Sequence, residues 1–130
     1  MQTAIEDRIL KDPLYPAGPA YELPEHRTIG HILDNYGIPF VYRQPTLIYE
    51  HGQRTIWRPD FTLPTHQNMV VDYLMPRNEP LRDYKQYIYN INDILALLIN
   101  NYDLMHPDRD ASLHRKITQT YDHSSYRAPP

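Results

Sequence analysis

The chain has 130 residues, a formal net charge of -3 and a charged fraction of 22%, which are ordinary values for one globular domain. The acidic total gives no broad attraction to nucleic acid, although a local basic patch can coexist with it. Cysteine is absent, which excludes disulfides, thiolate metal ligands and a cysteine nucleophile. Without a signal-peptide pattern or a long apolar segment, the sequence predicts a cytoplasmic protein that does not span a membrane.

Prolines set the predicted boundaries of the domain. Residues 1–24 carry prolines at positions 13, 16, 19 and 24, which remove backbone donors and disfavour a long helix. We predict an extended N-terminal arm that packs on the domain or on a partner; a loosely ordered terminus is the alternative. The domain is predicted to span residues 25–122, and residues 123–130 are predicted to form a flexible tail.

A first helix is predicted from Glu25 to Tyr36. Apolar side chains recur along it at helical spacing, at Ile29, Ile32, Leu33 and Tyr36. Pro24 suits the first turn of this helix, and Gly37 provides a stop.

Three strands are predicted next. β-branched and aromatic residues dominate residues 38–61, and the segment "EHGQ" marks a hairpin turn within them. Pro45 interrupts the first strand and predicts an edge or a bulge. The third strand, "MVVDYLM" at residues 69–75, is apolar on both faces and is therefore predicted to be central.

The remaining elements complete the order αβββαβα. A long helix is predicted to begin near Asp83, with an apolar face that continues to Tyr102. A short strand is predicted at residues 102–106, followed by a last helix capped by Asp110 or Ser112. This order predicts the α/β class, with a small mixed sheet flanked by helices.

Two aspartates stand where a negative charge is costly. Side chains alternate along a strand, so Asp72 shares its face with Val70 and Leu74. A buried carboxylate needs a cation, a hydrogen-bond donor or a metal. Asp60 follows Pro59 and is predicted to end the preceding strand. If the two strands are neighbours, the carboxylates converge, and Mg²⁺ or Mn²⁺ would relieve their repulsion.

The segment "RPDFTLP" at residues 58–64 follows a hairpin and precedes an apolar strand that carries an acid. With its surroundings, over residues 25–89, it resembles the PD-(D/E)xK nuclease superfamily, especially small single-domain and helicase-associated members. The resemblance implies a restriction-endonuclease-like core and hydrolysis of DNA phosphodiester bonds that depends on Mg²⁺ or Mn²⁺. Nucleic acid, most naturally DNA, is then the expected partner. The small size and the arm also make a homodimer a plausible assembly.

The resemblance also implies a set of metal ligands. Asp60 and Asp72 match the two metal-binding acids of the superfamily, and the backbone carbonyl of Tyr73 is expected to face the metal. Glu25 is the candidate for the helix glutamate that often completes the site, and Glu22 is the alternative. An interaction of Glu25 with the helix dipole would explain that residue equally well.

The position that the superfamily gives to a catalytic lysine is occupied by Leu74. Some members carry this lysine on the next helix, where Lys85 is the candidate and Gln86 the adjacent alternative. Lys85 and Tyr89 also lie on one helical face, as in a motif that follows the site in some members. Leu74 favours a second hypothesis, a catalytically degenerate domain that binds nucleic acid or a protein without cleaving. An unrelated α/β domain is the third.

Each candidate also has a purely structural interpretation. Asp60 could accept hydrogen bonds from the amides of its own turn. Asp72 could pair with Arg58 or Arg82, and Lys85 could be a solvated helix residue.

The aromatic and imidazole side chains allow two interpretations as well. The tyrosines near Lys85 could pack in the core or stack on bases. The seven histidines show no zinc spacing and are predicted to lie at the surface, with His26 and His66 as candidates for the edge of the site.

Overall fold

A computed structural model describes residues 19–126, with side chains up to residue 123. The helices and strands are α1 (Pro24–Asn35), β1 (Val41–Tyr42), β2 (Thr46–Glu50), β3 (Gln53–Trp57), β4 (Phe61–Leu63), β5 (Met69–Leu74), α2 (Arg82–Ile91), β6 (Ala96–Asn100), α3 (Asn101–Met105) and α4 (Arg109–Tyr126). Two 3₁₀ turns, Pro64–His66 and Pro76–Leu81, follow β4 and β5. Most of the predicted arm and half of the predicted tail lie outside the described residues, and α4 continues past the predicted domain end at residue 122 to residue 126.

The fold is of the mixed α/β class, as predicted. Four strands form one sheet in the order β1-β4-β5-β6, with two antiparallel pairings and a parallel pairing of β5 with β6. All six residues of β5 are buried, which confirms its predicted central place. β2 and β3 form a separate antiparallel hairpin.

Helices or the hairpin cover both faces of the sheet. On one face, α1 and α4 pack against alternate residues of β4 and β5, and the core includes Ile29, Leu33, Phe61, Val71 and Ile117. On the other face, α2 and the hairpin pack against Val70, Leu74 and Leu98 through Ile48, Ile88 and Tyr89. Asp72 belongs to this second face, because it lies two residues from both Val70 and Leu74 and side chains two apart on a strand point the same way.

The first helix agrees with prediction, whereas the strand that Pro45 was expected to interrupt is two separate strands. α1 buries Ile29, Ile32 and Leu33, begins with Pro24 and is followed by Gly37 at a φ of 67°. β1 ends before Pro45 and β2 begins after it, so the proline separates strands that belong to different sheets.

The predicted long helix after Asp83 is wrong in its second half. α2 ends at Ile91, Asp93 adopts a left-handed φ of 57°, and the apolar run that follows forms β6. A buried parallel strand is apolar on both sides, so its sequence can continue the apolar face of a helix without a break. The strand predicted at residues 102–106 is also wrong. Those residues fall mainly in α3, which Asn100 caps by accepting hydrogen bonds from two backbone amides.

Candidate functional site

Asp60 and Asp72 face each other across two neighbouring strands. β4 pairs with β5 so that Phe61 lies opposite Val71, and one further step of this register sets Asp60 opposite Asp72. Asp60 therefore precedes β4, and the prediction that it ends the earlier strand is wrong because β3 stops at Trp57. Like charges directly opposite each other destabilise a sheet unless other groups compensate them.

Beyond the last backbone pair of β4 and β5, the two carboxylates accept hydrogen bonds from backbone amides. Asp72 Oδ1 accepts from the backbone N–H of Asp60 at 2.7 Å, and Asp60 Oδ2 accepts from the backbone N–H of Tyr73 at 2.7 Å. Both aspartates are buried, with exposed fractions of 7% for Asp60 and 2% for Asp72. These amide contacts hold each carboxylate in one orientation.

Helix α2 supplies a cation and a hydroxyl to Asp72. Lys85 Nζ lies 3.2 Å from Asp72 Oδ2, and the Tyr89 hydroxyl donates to the same oxygen at 2.5 Å. The two side chains are four residues apart, so they project from one face of the helix. The alternative pairing of Asp72 with Arg58 or Arg82 is wrong. Arg82 binds Glu79 at 2.6 Å, and Arg58 contacts the carbonyl of Arg43 at 3.5 Å.

Asp60 is contacted by His26 and Arg43. His26 Nε2 lies 3.2 Å from Asp60 Oδ2, while its Nδ1 lies 2.7 Å from the Tyr42 hydroxyl. An ionised carboxylate can only accept, so Nε2 carries a proton, and in the neutral ring Tyr42 donates to Nδ1. Arg43 lies on the other side, with a guanidinium nitrogen 3.6 Å from Asp60 Oδ1. Its backbone N–H donates to the carbonyl of Asp60 at 3.0 Å.

Burial shifts the titration of Tyr89 and Tyr42, the two tyrosines that contact Asp72 and His26. The pKa of Tyr89 is raised far above its ordinary value, first by desolvation and then by the charge and hydrogen bond of Asp72. The pKa of Tyr42 is also raised, chiefly by desolvation. Both hydroxyls therefore stay protonated at neutral pH and remain available as donors to Asp72 and His26.

A cavity of about 540 Å³ opens onto the two aspartates. Charged side chains of both signs line it, namely Glu22, Asp60 and Asp72 with Arg43, Arg58 and Lys85. The aromatic residues Trp57, Tyr73, Tyr84 and Tyr89 form much of the remaining wall. The size is typical of a site for a small ligand or for part of a larger one.

The predicted residues are brought together except for Glu25. Asp60, Asp72, Tyr73 and Lys85 all line the cavity, whereas Glu25 does not. Glu22, which the sequence offered as the alternative, does line it and lies 3.7 Å from Arg43. Leu74 is 1% exposed in the core under α2, so this strand position has no access to the site.

Sequence reasoning missed Arg43 and Trp57 as members of this site. Of the two histidines named as candidates for its edge, His26 lines the cavity and His66 does not. The prediction that the histidines lie at the surface is wrong for His26, which is 3% exposed. A signal was available, because His26 precedes Ile29 by three and Leu33 by seven residues and so lies on the apolar stripe of α1. Arg43 gave no comparable signal, since its left-handed φ of 58° and its pairing beside Asp60 arise from the sheet.

The donor set suits a hard cation that is shared with a ligand. Within the described residues, no three His, Asp or Glu side chains are grouped so as to hold a metal ion. Mg²⁺ commonly keeps several waters and binds one or two carboxylates together with phosphate oxygens of a substrate. Asp60 and Asp72 would supply two carboxylates to a Mg²⁺ or Mn²⁺ ion at this site, and the ion would need its other ligands from water or a substrate.

No family model, curated protein or solved structure matches this chain. Across residues 19–126, no helix has both the length and the apolar character that crossing a membrane requires.

Proposed function

We propose that this protein is a metal-dependent nuclease of the PD-(D/E)xK type, which hydrolyses phosphodiester bonds of DNA. One observation carries the proposal: the ammonium of Lys85 lies 3.2 Å from Asp72 in a cavity that Asp60 also lines. Two acids and one lysine are the groups that the resemblance implies. Here the lysine comes from α2, because Leu74 occupies its usual strand position inside the core.

The order of elements around the site supports the same proposal. With the β2–β3 hairpin set aside as an insertion, the longer helices and the sheet strands run α1, β1, β4, β5, α2, β6 and α4. This sequence of helices and strands has the form αβββαβα that is expected of a restriction-endonuclease-like core, but its members differ from the predicted ones. The predicted strand at residues 102–106 lies mainly in α3, and the first two predicted strands each divide between the hairpin and the sheet.

The side chains of the cavity have distinct roles in the proposed reaction. Asp60 and Asp72 would hold Mg²⁺ or Mn²⁺, which when bound stabilises charge on the phosphate and lowers the pKa of a bound water. Lys85 contributes a positive charge beside the reacting phosphate. Arg43 and Arg58 offer guanidinium donors for phosphate oxygens, and Arg43 is fixed by a 2.8 Å hydrogen bond to the carbonyl of Arg58.

Tyr89 and His26 position the acids. Tyr89 donates to Asp72 from inside the core, and His26 does the same for Asp60 from α1. Both contacts orient a carboxylate.

The test is cleavage of supercoiled and single-stranded DNA in Mg²⁺ or Mn²⁺ by the wild type and by Asp60→Ala, Asp72→Asn and Lys85→Met. Asp93→Asn is the matched control, because Asp93 is an exposed aspartate at a left-handed φ that asparagine also tolerates. We expect cleavage by the wild type and the control, and a loss of about 100-fold or more in each site variant. Equal activity of wild type and Asp72→Asn would refute the proposal.

A second candidate is a nuclease-fold domain that binds nucleic acid or a protein without cleaving. The observation in its favour is that each of the four carboxylate oxygens already has a contact within 3.6 Å, from Tyr73, His26, Arg43, Asp60, Tyr89 or Lys85. A pair so fully engaged also suits a structural role. No cleavage, together with no Mn²⁺ binding by calorimetry, would favour this candidate. A homodimer and a cytoplasmic location stay predictions.

A further inference from the structure

We propose that the cavity takes one unpaired nucleotide of single-stranded DNA, with its base stacked against Trp57 and its phosphate beside Lys85. This names the substrate class of the proposed nuclease and rests on that function for the phosphate contact. Stacking itself needs neither a metal nor cleavage.

Trp57 is a preformed aromatic wall of the cavity. It ends β3, is half-buried and packs edge-on against Tyr89, with ring centres 5.3 Å apart and an interplanar angle of 85°. Tyr89 is itself 1% exposed and fixed by its hydrogen bond to Asp72. The Trp57 ring is therefore held in place by a core residue, and this anchoring lowers the entropy cost of stacking a base on it.

Lys85 connects this aromatic wall to the carboxylates. Its Nζ lies 6.0 Å from the Trp57 ring centre and 3.2 Å from Asp72 Oδ2. A phosphate paired with this ammonium would lie next to the aspartates, and the base of the same nucleotide would lie within reach of Trp57. One lysine thus spans the distance between a phosphate position and a base position.

The size of the cavity favours an unpaired nucleotide over a duplex. A cavity of about 540 Å³ can enclose a nucleotide, but it is far too small to receive paired strands. In a duplex the base faces are already stacked, so a base could reach Trp57 only after being extruded, which costs energy.

The aromatic rim continues beyond Trp57 to Tyr84. Tyr84 lines the same cavity, donates its hydroxyl to Glu50 and lies almost parallel to the His51 ring at 6.2 Å. Aromatic faces accept any base, so we infer binding with little sequence preference.

The experiment uses Trp57 as its own probe, because it is the only tryptophan of the chain. The full chain is titrated with oligo(dT) in EDTA, and separately with a blunt duplex of equal length. We expect saturable quenching of tryptophan fluorescence by oligo(dT), with an apparent affinity roughly tenfold or more above that for the duplex. No quenching, or an equal or higher affinity for the duplex, overturns the inference.

Variants separate stacking from a general loss of binding. Measured by anisotropy of a labelled oligo(dT), Trp57→Leu should weaken binding roughly tenfold, whereas Trp57→Phe should keep most of the affinity. Tyr102→Leu is the control, since it removes a tyrosine that is 83% exposed and does not line the cavity. Unchanged affinity in a folded Trp57→Leu overturns the inference.

The inference and the proposed function fail in different ways. Quenching of the tryptophan fluorescence by oligo(dT) and retained affinity in Trp57→Phe, without any DNA cleavage, would support single-strand binding and refute the nuclease. Cleavage of duplex DNA that Trp57→Leu leaves unchanged would support the nuclease and refute the stacking site.

Discussion

The backbone N–H of Asp60 donates to the carboxylate of Asp72 at 2.7 Å, so the two acids are joined by a hydrogen bond although their charges repel. The next amide along β5, that of Tyr73, returns the contact to the carboxylate of Asp60. These two hydrogen bonds to side chains end the backbone ladder between β4 and β5. They lie next to Pro59, which has no backbone N–H to continue the ladder. The stability of the strand ends and the geometry of the candidate site therefore depend on the same pair.

Tyr89→Phe should destabilise the fold by about 1.5–3 kcal/mol, the usual worth of a buried hydrogen bond to a charged group. The substitution leaves the ring in place and removes the donor from Asp72 Oδ2. Urea unfolding at pH 7 measures the change. Tyr87→Phe is the matched control on α2, where the side chain is 58% exposed, and it should change the free energy of unfolding by less than about 0.5 kcal/mol. Equal effects of the two substitutions would contradict the role of Tyr89.

Lys85→Met should destabilise the protein by about 2 kcal/mol, because Asp72 is buried and loses its cation. The value is below that of a fully buried pair, since Lys85 is 28% exposed and partly screened by water. Lys116→Met is the comparison, as Lys116 pairs with Asp103 at a more exposed place and should cost under about 1 kcal/mol. Thermal unfolding of both variants decides the matter, and a larger loss for Lys116→Met would be the contrary result.

Thr62→Val should leave stability unchanged or raise it by about 1 kcal/mol. Thr62 lies in β4 with 4% exposure, and its hydroxyl is the one buried side-chain polar atom without a hydrogen-bond partner in the part of the chain that the structure describes. Valine keeps the shape and removes the unsatisfied group. Thr46→Val is the comparison, because the hydroxyl of Thr46 donates to the carbonyl of Gln44 and this substitution therefore removes a hydrogen bond. A clear loss of stability in Thr62→Val, by chemical denaturation, would show that the hydroxyl is bonded.

Glu79→Gln should flatten the dependence of stability on pH in the acid range. Hydrogen bonds from Arg82 and then Asn100 lower the pKa of Glu79 from 4.5 to about 2. A carboxyl with a depressed pKa in the folded state stabilises the protein above pH 4.5, and this contribution is lost as the pH falls toward 2. The stability of wild type should therefore exceed that of Glu79→Gln most above pH 4.5, and the two should converge near pH 2. A difference that stays constant across this range would contradict the assignment.

The same contacts explain why this pair matters for the fold. Arg82 also donates to the carbonyl of Leu98 at 2.9 Å, so Glu79 and Arg82 tie the turn after β5 to β6. This places the start of α2, and with it Lys85, relative to the sheet.

Local patterns in the sequence were sufficient for α1, for the central strand β5 and for the face on which Asp72 lies. Each of these follows from the spacing of side chains within a single element, which is set by backbone geometry. The same kind of pattern failed at residues 96–100, where a buried parallel strand and the apolar face of a helix have the same composition.

The partners of the acids depend on tertiary structure. The sequence could name Asp60, Asp72 and Lys85 as candidates. It could not show that β1 pairs with β4, which is the pairing that sets Arg43 beside Asp60. Nor could it choose between Glu22 and Glu25, because which of them lines the cavity depends on the path of the chain into α1. The charge of each side chain is written in the sequence, whereas its neighbours are fixed by contacts between segments far apart in the chain. The sequence alone therefore determined that the carboxylate of Asp72 needs compensation. Only the packing of α1 and α2 on the sheet decided that Asp60 is buried as well and that His26, Lys85 and Tyr89 contact the two carboxylates.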